Sequence, residues 1–248
     1  MGPAPVDKAY RGRFYAGYFS THYSAGVQTN DAFFRRASYT LRRLLLPFLP
    51  ADRSARILDA GCGVGYALTM LMSAGYRDVC GIDVSPDQVA VARTRGLPVQ
   101  QADVFEFLQD RRGDYDAILA LDLIEHLDRD ELLRFLDLVV RALRPRGRLI
   151  VKTPNANSII ASRMRFKDMT HELIFSDSSL RQAFRTCGLN PVHIAGEPFY
   201  PVGVAGWVRW ILAACIHGAW RLCLFAELGR EGAHVPVAFN LIGVAERP

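Results

Sequence analysis

Paired cysteines are missing from this 248-residue chain. Its five, Cys62, Cys80, Cys187, Cys215 and Cys223, are odd in number and scattered, with no C-x-x-C pair. That excludes a disulfide framework and a zinc knuckle and points to a reducing compartment. An apolar signal core is also missing from the opening MGPAPVDKAYRGRF, and Val6 stands where a myristoylation signal behind Gly2 wants Ser or Thr. The expected location is the cytoplasm. Strong charge of one sign is absent too: 30 Lys and Arg against 25 Asp and Glu leave +5, without the clustered basicity of a nucleic-acid binder. There is no internal repeat and no low-complexity linker. With half of its residues hydrophobic, the chain is long enough for one large core and short for two.

What is present is alternation. From Arg56 onward, short aliphatic runs (ARILDAG, DVCGIDV, LPVQQADV, YDAILAL, GRLIVKTP) take turns with helical patterns near 66–74, 86–95 and 128–143. This is the pattern of βαβ units and predicts an α/β fold, a doubly wound, mostly parallel sheet whose ligand crevice lies where strand order reverses. The expected organisation is an N-terminal helical lid or packing segment over 1–50, a core over 51–198, an apolar helical insertion over 199–233 and a final core strand over 234–248. Within the first segment, the aromatic-rich FYAGYFSTHYSAG reads as a surface helix with aromatic anchors in preference to a lid.

The stretch ILDAGCGVGYAL places Gly61, Gly63 and Gly65 between a strand and a helix. Glycines there let the backbone turn sharply and approach a ligand, and the following helix offers free N–H groups. Tyr66 occupies the place of the last glycine in a dinucleotide fingerprint, which argues against NAD or FAD. Asp83, with Val84 behind it, closes the second strand where a carboxylate can accept from both ribose hydroxyls; Asp103 closes the third, within reach of an adenine amino group. Each Asp also suits a helix cap. Their arrival at successive strand tips beside a glycine turn favours a ligand.

With LDAGCGVG, GIDVS, QADVFEF, YDAILALDLIEHL and LRPRGRLIVKTPN in this order over 56–155, the chain resembles the class I S-adenosylmethionine-dependent methyltransferases. The resemblance implies a Rossmann-like seven-stranded sheet. It also implies that Asp59 and the Gly61–Gly65 turn hold the methionine part, Asp83 and Val84 the ribose, and Asp103 and Val104 the adenine, with Leu121 beside the transferring methyl.

Behind the strand YDAILAL, Asp122, Glu125 and His126 stand at i, i+3 and i+4, so a helical turn would gather them on one face at the crevice. Together with TPN and THELIFSDSSL, this segment resembles ubiquinone-pathway O-methyltransferases and small-RNA 3′-terminal 2′-O-methyltransferases. The resemblance implies two options: a divalent cation, Mg²⁺ or Mn²⁺, held by Asp122, Glu125, His126 and His171, or metal-free base chemistry at His126 or His171, with Glu125 beside them. Asp122 departs from the pattern, since the metal-dependent relatives tend to have Glu there. The plain alternative is that Glu125 caps backbone amides and His126 bonds a carbonyl. His22, His193, His217 and His234 lack comparable company.

Two further strands are expected at NPVHIAG and FNLIGVAE, after a helix begun by Ser176 and ended by Gly188. Between them runs GWVRWILAACIHGAWRLCLFAEL. Arg209, His217, Arg221 and Glu227 fall on one third of its helical wheel, leaving an apolar face with Trp207, Trp210, Trp220 and Phe225. The arginines interrupt a bilayer-spanning run. Three uses remain: a membrane surface met by 207–228, peripheral at the inner membrane face, a cap over the substrate pocket, or a homodimer contact.

The expected activity is O-methylation, first of a sugar hydroxyl in a surface-glycan or lipid-linked substrate, by resemblance to bacterial glycan-pathway enzymes. A small phenol, quinone precursor or polyketide comes next, and an RNA terminal ribose third. The reading from a different class is a non-catalytic, S-adenosylmethionine-binding regulatory subunit.

Overall fold

The computed structural model describes residues 9–18 and 30–248. Seven strands, β1 (Arg56–Ala60), β2 (Asp78–Asp83), β3 (Val99–Gln101), β4 (Tyr115–Leu121), β5 (Leu143–Pro154), β6 (Asn190–Gly196) and β7 (Asn240–Glu246), form one sheet in the order β3-β2-β1-β4-β5-β7-β6. All pairs are parallel except those made by β7, which runs antiparallel to β5 and β6. Strand order therefore reverses between β1 and β4. The chain leaves β1 through the glycine turn and β4 through Asp122, so both motifs meet at the switch point.

Ten helices are described: α1 (Ala9–Ala16), α2 (Asp31–Leu45), α3 (Tyr66–Ser73), α4 (Pro86–Thr94), α5 (Val104–Leu108), α6 (Arg129–Ala142), α7 (Ala161–Phe166), α8 (Asp177–Thr186), α9 (Gly203–Leu228) and α10 (Arg230–His234). Local sequence accounts for the sharpest boundaries. Asp128 accepts from Glu131 N at 2.8 Å while the Glu131 carboxylate accepts from Asp128 N at 2.9 Å, a capping box that starts α6. Leu132, Phe135, Leu136 and Val139, at helical spacing, then bury one face of α6 completely or nearly so. Ser176 starts α8 in the same reciprocal way with Ser179.

The sheet separates two cores. Period-two alternation sends Ile118, Ala120, Leu241 and Ala245 to the face covered by α6 and α8, and Ala117, Leu119, Ile242 and Val244 to the face holding Leu45, Leu68 and Leu71. Both faces are covered by buried apolar side chains.

Two elements differ from the sequence expectation. The N-terminal segment is not a mere surface helix: α1 and the residues behind it form a wall of the central cavity, with Arg11, Gly12, Tyr15 and Tyr18 lining it. Arg11 fixes that wall, its guanidinium donating to both carboxylate oxygens of Glu131 at 2.6 and 2.8 Å and to the His126 carbonyl at 2.6 Å. The rest of the aromatic stretch, including His22, lies outside the described residues. The apolar insertion is dominated by one long helix, α9, followed by the short α10, and it is no cap, since no residue of either helix lines the cavity. Trp220 does not belong to its apolar face; the indole donates to the Asn157 carbonyl at 2.8 Å, against the body of the protein.

Candidate active site

A cavity of about 690 Å³ opens over the carboxyl ends of β1, β2 and β4. Its floor is the glycine turn. Gly61, Gly63 and Gly65 all adopt left-handed backbone, at φ 71°, 54° and 90°, a region that only glycine enters without penalty. A Cβ on Gly63 would stand 2.9 Å from Gln88 Oε1, and one on Gly61 would stand 3.1 Å from Leu123 Cδ1. The amides of Gly61 and Cys62 both donate to the Ile82 carbonyl at 2.9 Å, which ties the turn to β2.

Asp83 completes that tie. One carboxylate oxygen accepts from Gly63 N and the other from Ser85 N, each at 2.8 Å. Burial pushes its pKa up, and the two amide bonds act against that shift. Asp59 is 2 % exposed and accepts no hydrogen bond from the described residues. Burial, reinforced by the charge of Asp83, pushes its carboxyl up to about 8. A buried carboxyl facing a cavity without a partner needs a cationic or hydrogen-bonding ligand. Asp103 turns out to be a helix cap as well as a cavity residue: it accepts from Phe105 N at 2.8 Å and Glu106 N at 3.2 Å, yet still lines the cavity together with Val84, Val104 and Leu121.

The other half of the cavity holds the acidic and imidazole cluster, with one member displaced. Asp122 takes a left-handed backbone, φ 55°, which kinks the chain out of β4 so that the following turn, Ile124–His126, is a separate 3₁₀ turn. The helical face expected to carry Asp122 with His126 does not form. Asp122 instead pairs with Lys152 on β5, Oδ2 to Nζ at 2.6 Å, while its amide donates to the Lys152 carbonyl at 2.8 Å. Burial acts to lower the Lys152 ammonium, but the carboxylates of Asp122, Glu197 and Glu125 outweigh it and leave its pKa raised. Asp122 is not among the groups whose donor atoms converge.

Glu125, His126 and His171 do converge, their donor atoms all lying within 4.8 Å of one another. Glu125 is 1 % exposed and accepts from the Thr153 hydroxyl at 3.1 Å. Burial, then the neighbouring Asp122 charge, raises its pKa. The carboxylate also takes a hydrogen bond from its own backbone amide, and the Glu125 carbonyl accepts from Glu172 N at 2.8 Å and Leu173 N at 3.0 Å.

Both imidazoles have one nitrogen committed. His126 Nδ1 lies 2.8 Å from the Thr170 hydroxyl, which itself donates to Asp168 at 2.7 Å. A hydroxyl has one proton, so with that proton on the Asp168 side Nδ1 of His126 is the donor; the Thr170 backbone also accepts from the imidazole, and Nε2 is the basic nitrogen. His171 Nδ1 lies 2.9 Å from the Met164 carbonyl, which can only accept, so its Nε2 is likewise basic. Burial and then His171 push the pKa of His126 down to about 4; burial chiefly lowers that of His171. Two neutral imidazoles thus present lone pairs at neutral pH. Asp168 also accepts from the Tyr18 hydroxyl at 2.5 Å, which joins the N-terminal wall to the same network.

Asp168, Thr170, Lys152, Arg11 and Tyr18 received no role in the sequence reading. The stretch DMTHE at 168–172 carries a signal for the first two, since an acid and a hydroxyl just before a candidate histidine are the groups that fix a tautomer. Nothing local marks the other three, whose partners lie more than 25 positions away.

The order of this sheet, the glycine cradle and the carboxylates at the strand tips define a class I S-adenosylmethionine-dependent methyltransferase. The donor set fits that cofactor: Asp59 offers an unpartnered acidic group for its ammonium, and Asp83 and Asp103 offer acceptors at the rim. The model of the family described as "Methyltransferase domain" matches residues 33–194, and the chain belongs to that family. Its relatives include proteins named ubiquinone biosynthesis O-methyltransferase. That of Bordetella avium is 27 % identical over 165 residues, covering 59 % of this chain and 67 % of the relative, and that of Xanthomonas oryzae pv. oryzae is 33 % identical over 108 residues, 41 % and 44 % respectively. The chain thus spans between less than half and two thirds of the length of these relatives. A solved S-adenosylmethionine-dependent methyltransferase from Archaeoglobus fulgidus shares the fold, with a TM-score of 0.64 at 20 % identity over 86 % of this chain and 94 % of the other.

Proposed function

We propose that the protein methylates a hydroxyl of a small aromatic acceptor, a phenol or quinone precursor, with His126 as general base. The observation that carries this reading is the free Nε2 of His126, held in its tautomer by Thr170 and Asp168 in the half of the cavity opposite the cofactor cradle. When bound, S-adenosylmethionine supplies an electrophilic methyl. The residues of this chain do the rest: the glycine turn and Asp83 position the cofactor, Arg11 and Tyr18 wall the acceptor side from water, and Nε2 takes the hydroxyl proton as oxygen attacks.

The names of the relatives weigh toward a phenol or quinone precursor over the sugar hydroxyl that stood first in the sequence reading. The lining agrees. Leu121, Leu123, Met164 and Phe239 stand among the polar residues of the lining and offer apolar faces against which an aromatic ring can pack. Transfer of labelled methyl to a panel of catechols, phenols and hexoses tests the reading; labelling confined to hexoses would reverse the order of acceptors.

A second reading is supported by the convergence of Glu125, His126 and His171. Two imidazoles and a carboxylate suit a first-row cation such as Mn²⁺ better than Mg²⁺, which prefers an all-oxygen shell. With a cation there, Glu125 would ligate as the anion, and an acceptor hydroxyl bound to the cation would lose its proton more readily. Calorimetric titration of Mn²⁺ into the chelator-treated protein, with and without His171→Ala, measures this independently of turnover.

A further inference from the structure

Helix α9 is built inside out for the surface of a water-soluble body. None of its 26 residues is buried. Those that are partly covered, Gly206, Ala213, His217, Trp220 and Leu224, recur at helical spacing and form one narrow stripe toward the body, anchored by Trp220 on Asn157. Arg209, His217, Arg221 and Glu227, its ionisable groups, fall on that same side. The rest of the circumference, about 240° on a 3.6-residue wheel, carries no charge at all. Val204, Trp207, Ile211, Leu212, Leu222 and Phe225 project from it, Val204 at 83 % and Leu222 at 67 % exposure. A surface helix ordinarily turns its apolar stripe inward and its charges outward; here the arrangement is reversed.

By length and composition this helix could cross a membrane, since 26 residues span about 39 Å. The fold forbids it. The helix leaves from β6 and must return to β7, and these strands are neighbours, with Gly196 opposite Leu241. Residues 229–239 would have to recross the hydrocarbon, and irregular backbone exposed to lipid is not tolerated there. The return is made instead by α10 folding back on the helix, so closely that a Cβ on Gly232 would lie 2.1 Å from the Leu224 carbonyl oxygen.

We propose that α9 lies flat in one leaflet of an anionic bilayer, with its uncharged arc among the acyl chains and the body of the protein in water. Arg209 and Arg221 stand at the two margins of the arc, where their long side chains reach lipid phosphates. Trp207, just inside one margin of the arc, is placed for the depth at which indoles settle. A second copy of the chain suits the arc less well, because one packed helix covers a stripe, whereas lipid surrounds two thirds of a circumference. The inference goes beyond the reading of the chemistry and does not depend on which acceptor is methylated.

All three tryptophans of the chain, Trp207, Trp210 and Trp220, lie in α9, so selectively excited tryptophan fluorescence reports on this helix alone. The full chain is mixed with vesicles of phosphatidylcholine containing phosphatidylglycerol and floated through a density gradient. It should rise with the vesicles, and its fluorescence should be quenched by lipids brominated near the headgroup more than by those brominated at the chain end. Ile211→Glu with Leu222→Glu, both on exposed positions, should lower the floated fraction at least tenfold while leaving S-adenosylhomocysteine affinity unchanged, which verifies the fold. A wild-type chain that stays at the bottom, or a double variant that floats equally well, overturns the proposal. Vesicle indifference combined with a dimer that the double variant dissociates assigns the arc to a second copy and overturns it too.

Discussion

His126 and Thr170 are joined by a 2.8 Å hydrogen bond that fixes which nitrogen of the imidazole is basic. The Thr170 hydroxyl is already spent on Asp168, so it accepts from Nδ1 and leaves Nε2 open to the cavity. His126→Ala should lower turnover ~100-fold or more, the usual weight of general-base catalysis, with S-adenosylhomocysteine affinity unchanged by calorimetry. Thr170→Val removes the tautomer control together with the hydroxyl's bond to Asp168 and should cost about a tenth of that factor, ~10-fold. Equal turnover in His126→Ala and wild type removes this imidazole from the reaction.

The same burial that hides His126 sets its pH behaviour. Its folded pKa is pushed down to about 4 from an ordinary 6.5. The neutral, basic form therefore persists well into the acid range, and kcat should stay level from pH 8 to about 5 before it falls, in place of the limb near 6.5 that an exposed imidazole gives. For stability the sign follows from protonation being disfavoured in the folded state: the contribution is complete above pH 6.5 and is lost as pH drops through 4. Urea titrations at pH 7 and pH 4.5 should show the midpoint falling in the acid sample, and less so in His126→Ala.

Asp122 and Lys152 separate the two chemical readings from each other. Because the Asp122 carboxylate is spent on Lys152 at 2.6 Å, Asp122→Asn should leave Mn²⁺ affinity where it was, whereas His171→Ala should reduce any such affinity at least tenfold. Under the base reading, chelator-treated enzyme keeps its turnover. Loss of turnover on chelation, restored by Mn²⁺, transfers the role of His126 from base to ligand.

The fold and the glycine turn with its strand-tip carboxylates were readable in the sequence because both rest on local rules. Periodicity sets the strands from Arg56 to Pro154, and a glycine turn needs its glycines wherever it occurs. The acceptor half was only partly readable. Glu125, His126 and His171 were named correctly as neighbours, but Asp122 was assigned to them on helical spacing, and a left-handed residue at the end of β4 broke that spacing and gave the carboxylate to Lys152, 30 positions on. Arg11 and Tyr18 could not be placed for the same reason, as a wall brought from the far end of the chain leaves no periodic trace. In α9 the wheel gave the right polar third but not its direction, because a sequence does not say which side of a helix faces the body.

Asp83 is the pin between the glycine turn and β2, and its replacement should separate cofactor binding from the rest of the chemistry. Its two oxygens hold Gly63 N and Ser85 N, and hydrogen bonds to a charged acceptor are worth ~1.5–3 kcal/mol each. Burial opposes the charge and cancels part of this, so Asp83→Ala should destabilise the apo protein by ~2 kcal/mol, or ~4–8 °C in Tm for a chain of this size. Asp83→Asn should do little better: the amide keeps one acceptor, but its NH₂ group then points a donor at a backbone N–H. In both variants S-adenosylhomocysteine should bind at least tenfold more weakly, since the turn that must approach it is no longer held and the ribose loses its charged acceptor. Thermal shift and calorimetry on the two variants measure both effects. Undiminished cofactor affinity in Asp83→Ala would mean that the glycine backbone alone, through Gly61 and Cys62 bonded to the Ile82 carbonyl, holds the turn in its binding shape.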